Sequence, residues 1–284
     1  MTSAGFNRRM RKTACPVVWK GCEAQSPQPH PIKRYCNVGV PELDEGTDID
    51  GISVMNTQVI LALDVPSRDE ALTVLDRTGP QLKWVKIGLQ LFTRYGPGLV
   101  EEVAGKGYSV LLDLKLHDIP NTVARAVQSL AQLPIQLLTV HASGGPEMLR
   151  QAEQACREHA SGLPLLAVTV LTSLDDHELR AVGCERSPRD EVRLLVRMAS
   201  EKGIKGFVCS PLETALLRKD LGEDVLLVTP GVRPRGVDSD EQKRVTTPAE
   251  AGRAGASHIV VGRPLLRASR PAEVLAAIQD ELAS

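Results

Sequence analysis

Three charged residues lie in and just after a stretch that is otherwise apolar. Asp113 and Lys115 alternate with leucines in the segment from Ser109 to Leu116, and Asp118 follows in a predicted turn. Strand side chains alternate, so Asp113 and Lys115 point the same way, roughly 6.6 Å apart at about 3.3 Å per residue. A buried charge is costly unless it is paired. The pattern therefore predicts a carboxylate and an ammonium group held together for electrostatic or acid–base chemistry.

Other predicted strands carry or end in polar groups of the same kind. Lys86 lies between Val85 and Ile87, and Asp64 follows the first predicted strand. The later strands end at His141, Thr172 and Ser173, Ser210, Arg233, and Gly262 with Arg263. This is more polarity than the stability of a sheet needs, and it indicates a binding pocket where the strands end.

The last of these strand ends has the character of a phosphate site. Gly262 and Arg263 follow an apolar strand and precede a predicted short helix. Glycine lets a phosphate approach the backbone N–H groups, the start of a helix favours an anion, and arginine adds a bidentate contact. Arg233 and Gln242 lie in a long loop, residues 230–247, which we expect to close over the same group.

The polar residues at the strand ends can form one site only in a fold that brings those ends together. Eight short apolar strands alternate with helical patterns, the first of which begins with a capping box at Ser67. The predicted strands are Val59–Leu63, Trp84–Ile87, Val110–Leu114, Ile135–Val140, Leu165–Val170, Gly206–Cys209, Val225–Val228 and His258–Val261. This order predicts an α/β fold, a (β/α)8 TIM barrel whose active site lies at the carboxyl ends of the strands. An open doubly wound sheet is the alternative, but no glycine fingerprint follows the first strand.

Composition narrows the class of protein. The 284 residues are 42% hydrophobic, with 34 basic and 35 acidic side chains, and no apolar run is long enough to span a membrane. Near-neutral charge with two Trp, three Tyr and three Phe argues against a nucleic-acid surface. The six cysteines show no metal-ligand spacing, so free thiols in a reducing cytoplasm are expected.

The N-terminal segment differs from the rest. Residues 1–54 are first basic and then acidic, contain a proline-rich stretch and lack periodicity, which predicts a disordered or non-native extension. A transit peptide is an alternative, although the Pro, Trp and Cys content fits it poorly. Met55 directly precedes the first strand and is a second possible start. Residues 55–284 are the predicted single barrel domain.

Several of these segments together resemble the orotidine 5'-phosphate decarboxylase family. In chain order they are ALDV with Asp64, VKIG with Lys86, DLKLHDIPNT, VHASGG, VTVLTS, TPGVRP and VVGRP. The resemblance covers about four fifths of the chain, from Val59 to Leu282, and DLKLHDIPNT is its most specific motif. The segment before Met55 has no counterpart.

The resemblance implies decarboxylation of orotidine 5'-monophosphate to uridine 5'-monophosphate, the last step of uridylate biosynthesis, without metal or other cofactor. Lys115 would protonate C6, Asp113 would lie near the substrate carboxylate, and Lys86 and Asp118 would complete an alternating set of charges. A homodimer is also implied, with Asp118 and Thr122 reaching the neighbouring subunit's site.

The resemblance assigns the remaining site residues to substrate binding. Asp64 and Lys86 would bind the ribose, Thr172 and Ser173 the pyrimidine, and Arg233, Gln242, Gly262 and Arg263 the phosphate. The whole of the central motif would contribute: Asp113, Leu114, Lys115, Leu116, His117, Asp118, Ile119, Pro120, Asn121 and Thr122.

Two other functions compete with this one. Phosphate-sugar lyases and decarboxylases of the same barrel group share an Asp-x-Lys-x-x-Asp strand but use Mg²⁺, and activity that survives a chelator would separate them. The Thr172–Ser173 pair and Gln242 favour the nucleotide enzyme. An inactive phosphate-binding barrel is the second alternative, and the intact Asp113, Lys115 and Asp118 argue against it.

Overall fold

The computed structural model describes residues 57–159, 162–234 and 246–284. Both the segment predicted to be disordered, residues 1–54, and Gln242 lie outside these ranges. Among the helices that the structure describes, none is long and apolar enough to cross a membrane.

Eight parallel strands form a closed barrel in which each strand pairs with the next and β8 pairs with β1. The strands are β1 Gln58–Ala62, β2 Trp84–Gly88, β3 Ser109–Leu116, β4 Leu137–His141, β5 Leu165–Val168, β6 Gly206–Val208, β7 Leu226–Pro230 and β8 His258–Val261. Their ends differ from the predicted ones by no more than two residues. The (β/α)8 barrel is confirmed, and the open sheet is excluded.

Helices follow the strands around the barrel. They are α1 Arg68–Thr78, α2 Leu89–Gly105, α3 Pro120–Leu130, α4 Pro146–His159, α5 Asp176–Ala181, α6 Pro188–Ser200, α7 Pro211–Leu221, α8 Pro248–Arg253, α9 Arg263–Leu266 and α10 Pro271–Leu282. Local sequence sets several of their starts. The Ser67 hydroxyl accepts the N–H of Glu70 at the start of α1, and Asp175 and Glu178 form a capping box at α5.

The second helix is longer than predicted. The apolar pattern predicts a helix over Gly98–Ala104, whereas α2 runs from Leu89 to Gly105. It is kinked at Gly96, which has φ 60° and precedes Pro97. Proline has no N–H to continue the preceding turns, so two helical segments meet here and the sequence pattern marked only the second.

The apolar core has two shells. Strand residues that face outward, such as Leu61 and Ile87, pack against the helices. Those that face the barrel axis form a smaller cluster, Ile60, Ala62, Leu111, Leu137, Leu166, Val228 and Val260. Four of the axial residues also line a cavity at the carboxyl ends of the strands: Ala62, Leu111, Val228 and Val260. The inner core is therefore the floor of that cavity.

Candidate active site

Four charged side chains meet at the carboxyl end of the barrel: Asp64, Lys86, Asp113 and Lys115, here called the charged array. Lys115 Nζ donates to both carboxylate oxygens of Asp113 at 2.7 Å. Lys86 Nζ lies 3.4 Å from Asp113 Oδ2 and 3.0 Å from Asp64 Oδ1. Anions and cations thus alternate along the array. The structure brings together the pair predicted within β3 and adds the two charges from β2 and the end of β1.

Asp113 and Lys86, the two buried members of the array, stay ionised in spite of their burial. Asp113 is only 8% exposed, and burial by itself would raise its pKa. Lys86 and Lys115, together with hydrogen bonds from Lys115 and Thr139, outweigh burial and lower the pKa of Asp113 below its ordinary value. Burial would lower the pKa of Lys86, but Asp113 and Asp64 raise it above the ordinary value. At neutral pH the charges of Asp113 and Lys86 are therefore fixed before any ligand binds.

The backbone of β3 departs from regular strand geometry where it carries Lys115. β3 pairs with β4 at Leu112–Leu138 and again at Leu116–Val140, and the register shifts between these pairs. Lys115 has φ 49° and is the one non-glycine residue of the described ranges with a positive φ. The left-handed conformation costs a non-glycine residue roughly 1–2 kcal/mol. A bulged backbone, rather than the simple alternation assumed from the sequence, therefore places the ammonium group.

The charged array lines one side of a cavity of about 690 Å³, a size within the range of small-molecule sites. Thr172 and Ser173 line it after β5. Arg233, Gly262 and Arg263 line it after β7 and β8, and Arg263 begins the short helix predicted there. The predicted phosphate residues that the structure describes thus share one cavity with the array.

Eight of the predicted substrate-binding residues do not line this cavity in their own chain: Leu114, Leu116, His117, Asp118, Ile119, Pro120, Asn121 and Thr122. The two leucines pack against the core between strands and helices. Asp118 is exposed and accepts the N–H of Ile119 at 2.6 Å. The last three residues form the first turn of α3. Their contribution to substrate binding remains a prediction.

Sequence reasoning missed several residues that line the cavity, and two of them are Thr139 and Arg267. Thr139 in β4 is 1% exposed and hydrogen-bonds to both Asp113 and Lys115. Arg267 lines the cavity just after α9. Thr139 interrupts a run of apolar residues in the middle of β4, and this pattern could have drawn attention to it. The exposed Arg267 gives no such signal in the sequence.

Comparisons with known proteins show the family of this chain. A family model described as "Orotidine 5'-phosphate decarboxylase / HUMPS family" matches residues 57–278. An orotidine 5'-phosphate decarboxylase of Opitutus terrae is 52% identical over 229 residues, which are 81% of this chain and 98% of that protein. One from Chromohalobacter salexigens is 46% identical over 229 residues, 81% of this chain and 97% of that protein.

A solved structure is also similar to this chain. The crystal structure of orotidine 5'-phosphate decarboxylase from Lactobacillus acidophilus superposes with a TM-score of 0.72 at 38% identity, covering 80% of this chain and 100% of that one. The residues matched by the family model contain all eight strands, the charged array and the Gly262–Arg263 pair. The chain therefore belongs to the orotidine 5'-phosphate decarboxylase / HUMPS family.

Proposed function

We propose that the protein is a carboxy-lyase that converts orotidine 5'-monophosphate to uridine 5'-monophosphate and CO₂, the last step of uridylate biosynthesis. One observation carries this proposal: the charged array and the Gly262–Arg263 pair line the same cavity. The array suits a reaction that develops negative charge, and the glycine–arginine pair suits a phosphate. The relatives named above bear the decarboxylase name and are matched over nearly their whole length.

The chemical difficulty is the carbanion at C6, which lies in the plane of the pyrimidine ring and cannot delocalise into its π system. In the proposed step the bond between C6 and the carboxylate breaks, its electron pair stays on C6, and CO₂ leaves. The Lys115 ammonium group stabilises the developing charge and donates a proton to C6. The neutral lysine then regains a proton from water. Because Asp113 already orients Lys115 at 2.7 Å, little reorganisation accompanies the step.

The other predicted residues bind the rest of the nucleotide. Asp64 and Lys86 contact the ribose hydroxyls, and Thr172 and Ser173 contact the pyrimidine. The phosphate lies with Arg233, Gln242, Gly262 and Arg263. The phosphate takes no part in the bond changes at C6. Its binding nevertheless assists the reaction, because the binding energy holds the pyrimidine ring against the charged array.

We also infer a homodimer in which Asp118 and Thr122 complete the site of the neighbouring subunit. Both are exposed and lie outside the cavity of their own chain. On the same rim of the barrel, Ile119 is 67% exposed and Leu89 is 55% exposed. A partner subunit would cover these two large apolar side chains.

Complementation between two inactive variants tests the shared site. In a mixed dimer of Lys115→Ala and Asp118→Ala subunits, one site has both residues intact. After subunit exchange the mixture should regain roughly a quarter of wild-type activity, because about half of the dimers are mixed and each has one intact site. If the mixture stays as inactive as its components, Asp118 acts within its own chain, and an active Asp118→Ala protein would show that Asp118 is not needed.

The activity itself is tested by following the ultraviolet absorbance of orotidine 5'-monophosphate, which should fall when the protein is added. Lys115→Ala should abolish this turnover while binding of uridine 5'-monophosphate stays measurable. Substantial turnover by purified Lys115→Ala would exclude lysine as the proton donor. A chelator should leave the wild-type rate unchanged, whereas loss of activity would favour the Mg²⁺-dependent lyases.

A further inference from the structure

Thr139 occupies an unusual position between β3 and β4. The two strands pair at Leu112–Leu138 and next at Leu116–Val140. Between these points β3 has three residues, whereas β4 has only Thr139. Thr139 therefore faces the bulge that contains Asp113 and Lys115, and its side chain takes the place of regular strand pairing.

The hydroxyl of Thr139 holds the backbone of Lys115. The Lys115 N–H donates to Thr139 Oγ1 at 2.9 Å. This bond gives a partner to a backbone group that the bulge removes from the strand ladder, at a residue whose φ is 49°. The left-handed conformation of a lysine persists only where its surroundings hold it there, and this bond is one such restraint.

The same hydroxyl also holds the carboxylate of Asp113. A backbone N–H can only donate, so the hydroxyl proton of Thr139 remains for a second bond, which it makes to Asp113 Oδ1 at 3.0 Å. Asp113 in turn accepts from Lys115 Nζ. A closed ring of hydrogen bonds thus runs from the backbone of Lys115 through Thr139 and Asp113 to the ammonium group of the same lysine.

We propose that Thr139 is a positioning residue for decarboxylation, whose hydroxyl fixes the Lys115 backbone and the Asp113 carboxylate relative to each other. This inference rests on the proposed function. Thr139 need not touch the substrate, because it acts through the proton donor and its carboxylate partner. A misplacement of about 1 Å in such a group can reduce a rate by about 100-fold.

Three variants test the role. Thr139→Val keeps the shape but removes both hydrogen bonds, and Thr139→Ser keeps the hydroxyl. Thr229→Val is the matched control, since Thr229 is equally buried, its hydroxyl contacts Thr214 at 3.2 Å, and it lies outside the cavity lining. For each protein, kcat for orotidine 5'-monophosphate and the Kd for uridine 5'-monophosphate are measured.

We expect Thr139→Val to lower kcat by about 10- to 100-fold while the Kd for uridine 5'-monophosphate changes less than about threefold. Thr139→Ser and Thr229→Val should keep kcat within about threefold of wild type. The inference is overturned if Thr139→Val retains kcat, if Thr139→Ser is equally impaired, or if kcat and binding are lost in parallel.

Two further comparisons keep the test decisive. If Thr139→Val does not fold, Thr139→Cys replaces it, because cysteine, like serine, has a single γ atom but hydrogen-bonds weakly. Its kcat should then lie at least about tenfold below that of Thr139→Ser, and equal values overturn the inference.

Failure of the proposed function and failure of the role of Thr139 give different results. If the wild-type protein leaves orotidine 5'-monophosphate unchanged, the proposed function is refuted. If wild-type turnover is normal and Thr139→Val is unimpaired, only the role of Thr139 is refuted.

Discussion

Lys86→Met should lower the free energy of unfolding by about 3 kcal/mol at pH 7. Lys86 lies between two carboxylates, and its side chain and that of Asp113 are only 12% and 10% exposed. At 3.4 Å and an effective dielectric constant of about 20, the attraction between Lys86 and Asp113 is about 5 kcal/mol before desolvation is subtracted. Removing one partner of a buried pair costs about 3–5 kcal/mol. We expect the lower end of this range, because Lys115 still neutralises Asp113.

Urea denaturation at pH 7 measures this change, and thermal unfolding should show a midpoint lowered by about 6–12 °C. Lys106→Met is the matched control. Its ion pair with Asp76 has a similar distance, 3.3 Å, but the two side chains are 38% and 69% exposed. Such a pair contributes less than about 1 kcal/mol. Equal losses in the two variants would show that burial does not strengthen the pair in the array.

The difference in unfolding free energy between wild type and Lys86→Met should also depend on pH, which provides a second check. The folded-state pKa of Asp113 is lowered, so its contribution is present above the unfolded pKa of about 3.9 and is lost as pH falls below it. The folded-state pKa of Lys86 is raised, so its contribution is present below the unfolded pKa of about 10.4 and is lost at higher pH. The stability gap between wild type and Lys86→Met should therefore be constant from about pH 5 to 9 and narrow outside this window.

Two further predictions concern the phosphate end and the opposite end of the barrel. Arg263→Ala should lower kcat/KM by orders of magnitude although it contacts no reacting atom, and a near wild-type value in steady-state assays would refute the phosphate assignment. His258 is buried against Trp84, and burial lowers its pKa to about 4. The unfolded state binds this proton more readily, so wild type should lose about 3 kcal/mol of stability relative to His258→Leu as pH falls from about 6.5 to 4. Equal pH dependence of unfolding in the two proteins would contradict this reasoning.

Local sequence was enough to predict the barrel and much of its site. Eight short apolar strands separated by helical patterns predicted the fold because side-chain periodicity reflects which faces are buried. Asp113 and Lys115 were predicted to meet because they lie two residues apart on one strand. Gly262 and Arg263 were predicted to face a ligand because they follow a strand directly, and strand ends meet at one edge of a parallel barrel.

Tertiary structure alone decided how the charges are held. Asp64, Lys86 and Asp113 lie far apart in sequence. Pairing of β2 with β1 and with β3 brings Lys86 Nζ to 3.0 Å from a carboxylate oxygen of Asp64 and to 3.4 Å from one of Asp113. The left-handed backbone of Lys115 and the hydroxyl of Thr139 that bonds to it could not be predicted, since a bulge depends on the register between β3 and β4. Residue types fix which charges are present, whereas pairing between strands fixes their distances, and stabilisation of a carbanion depends on those distances.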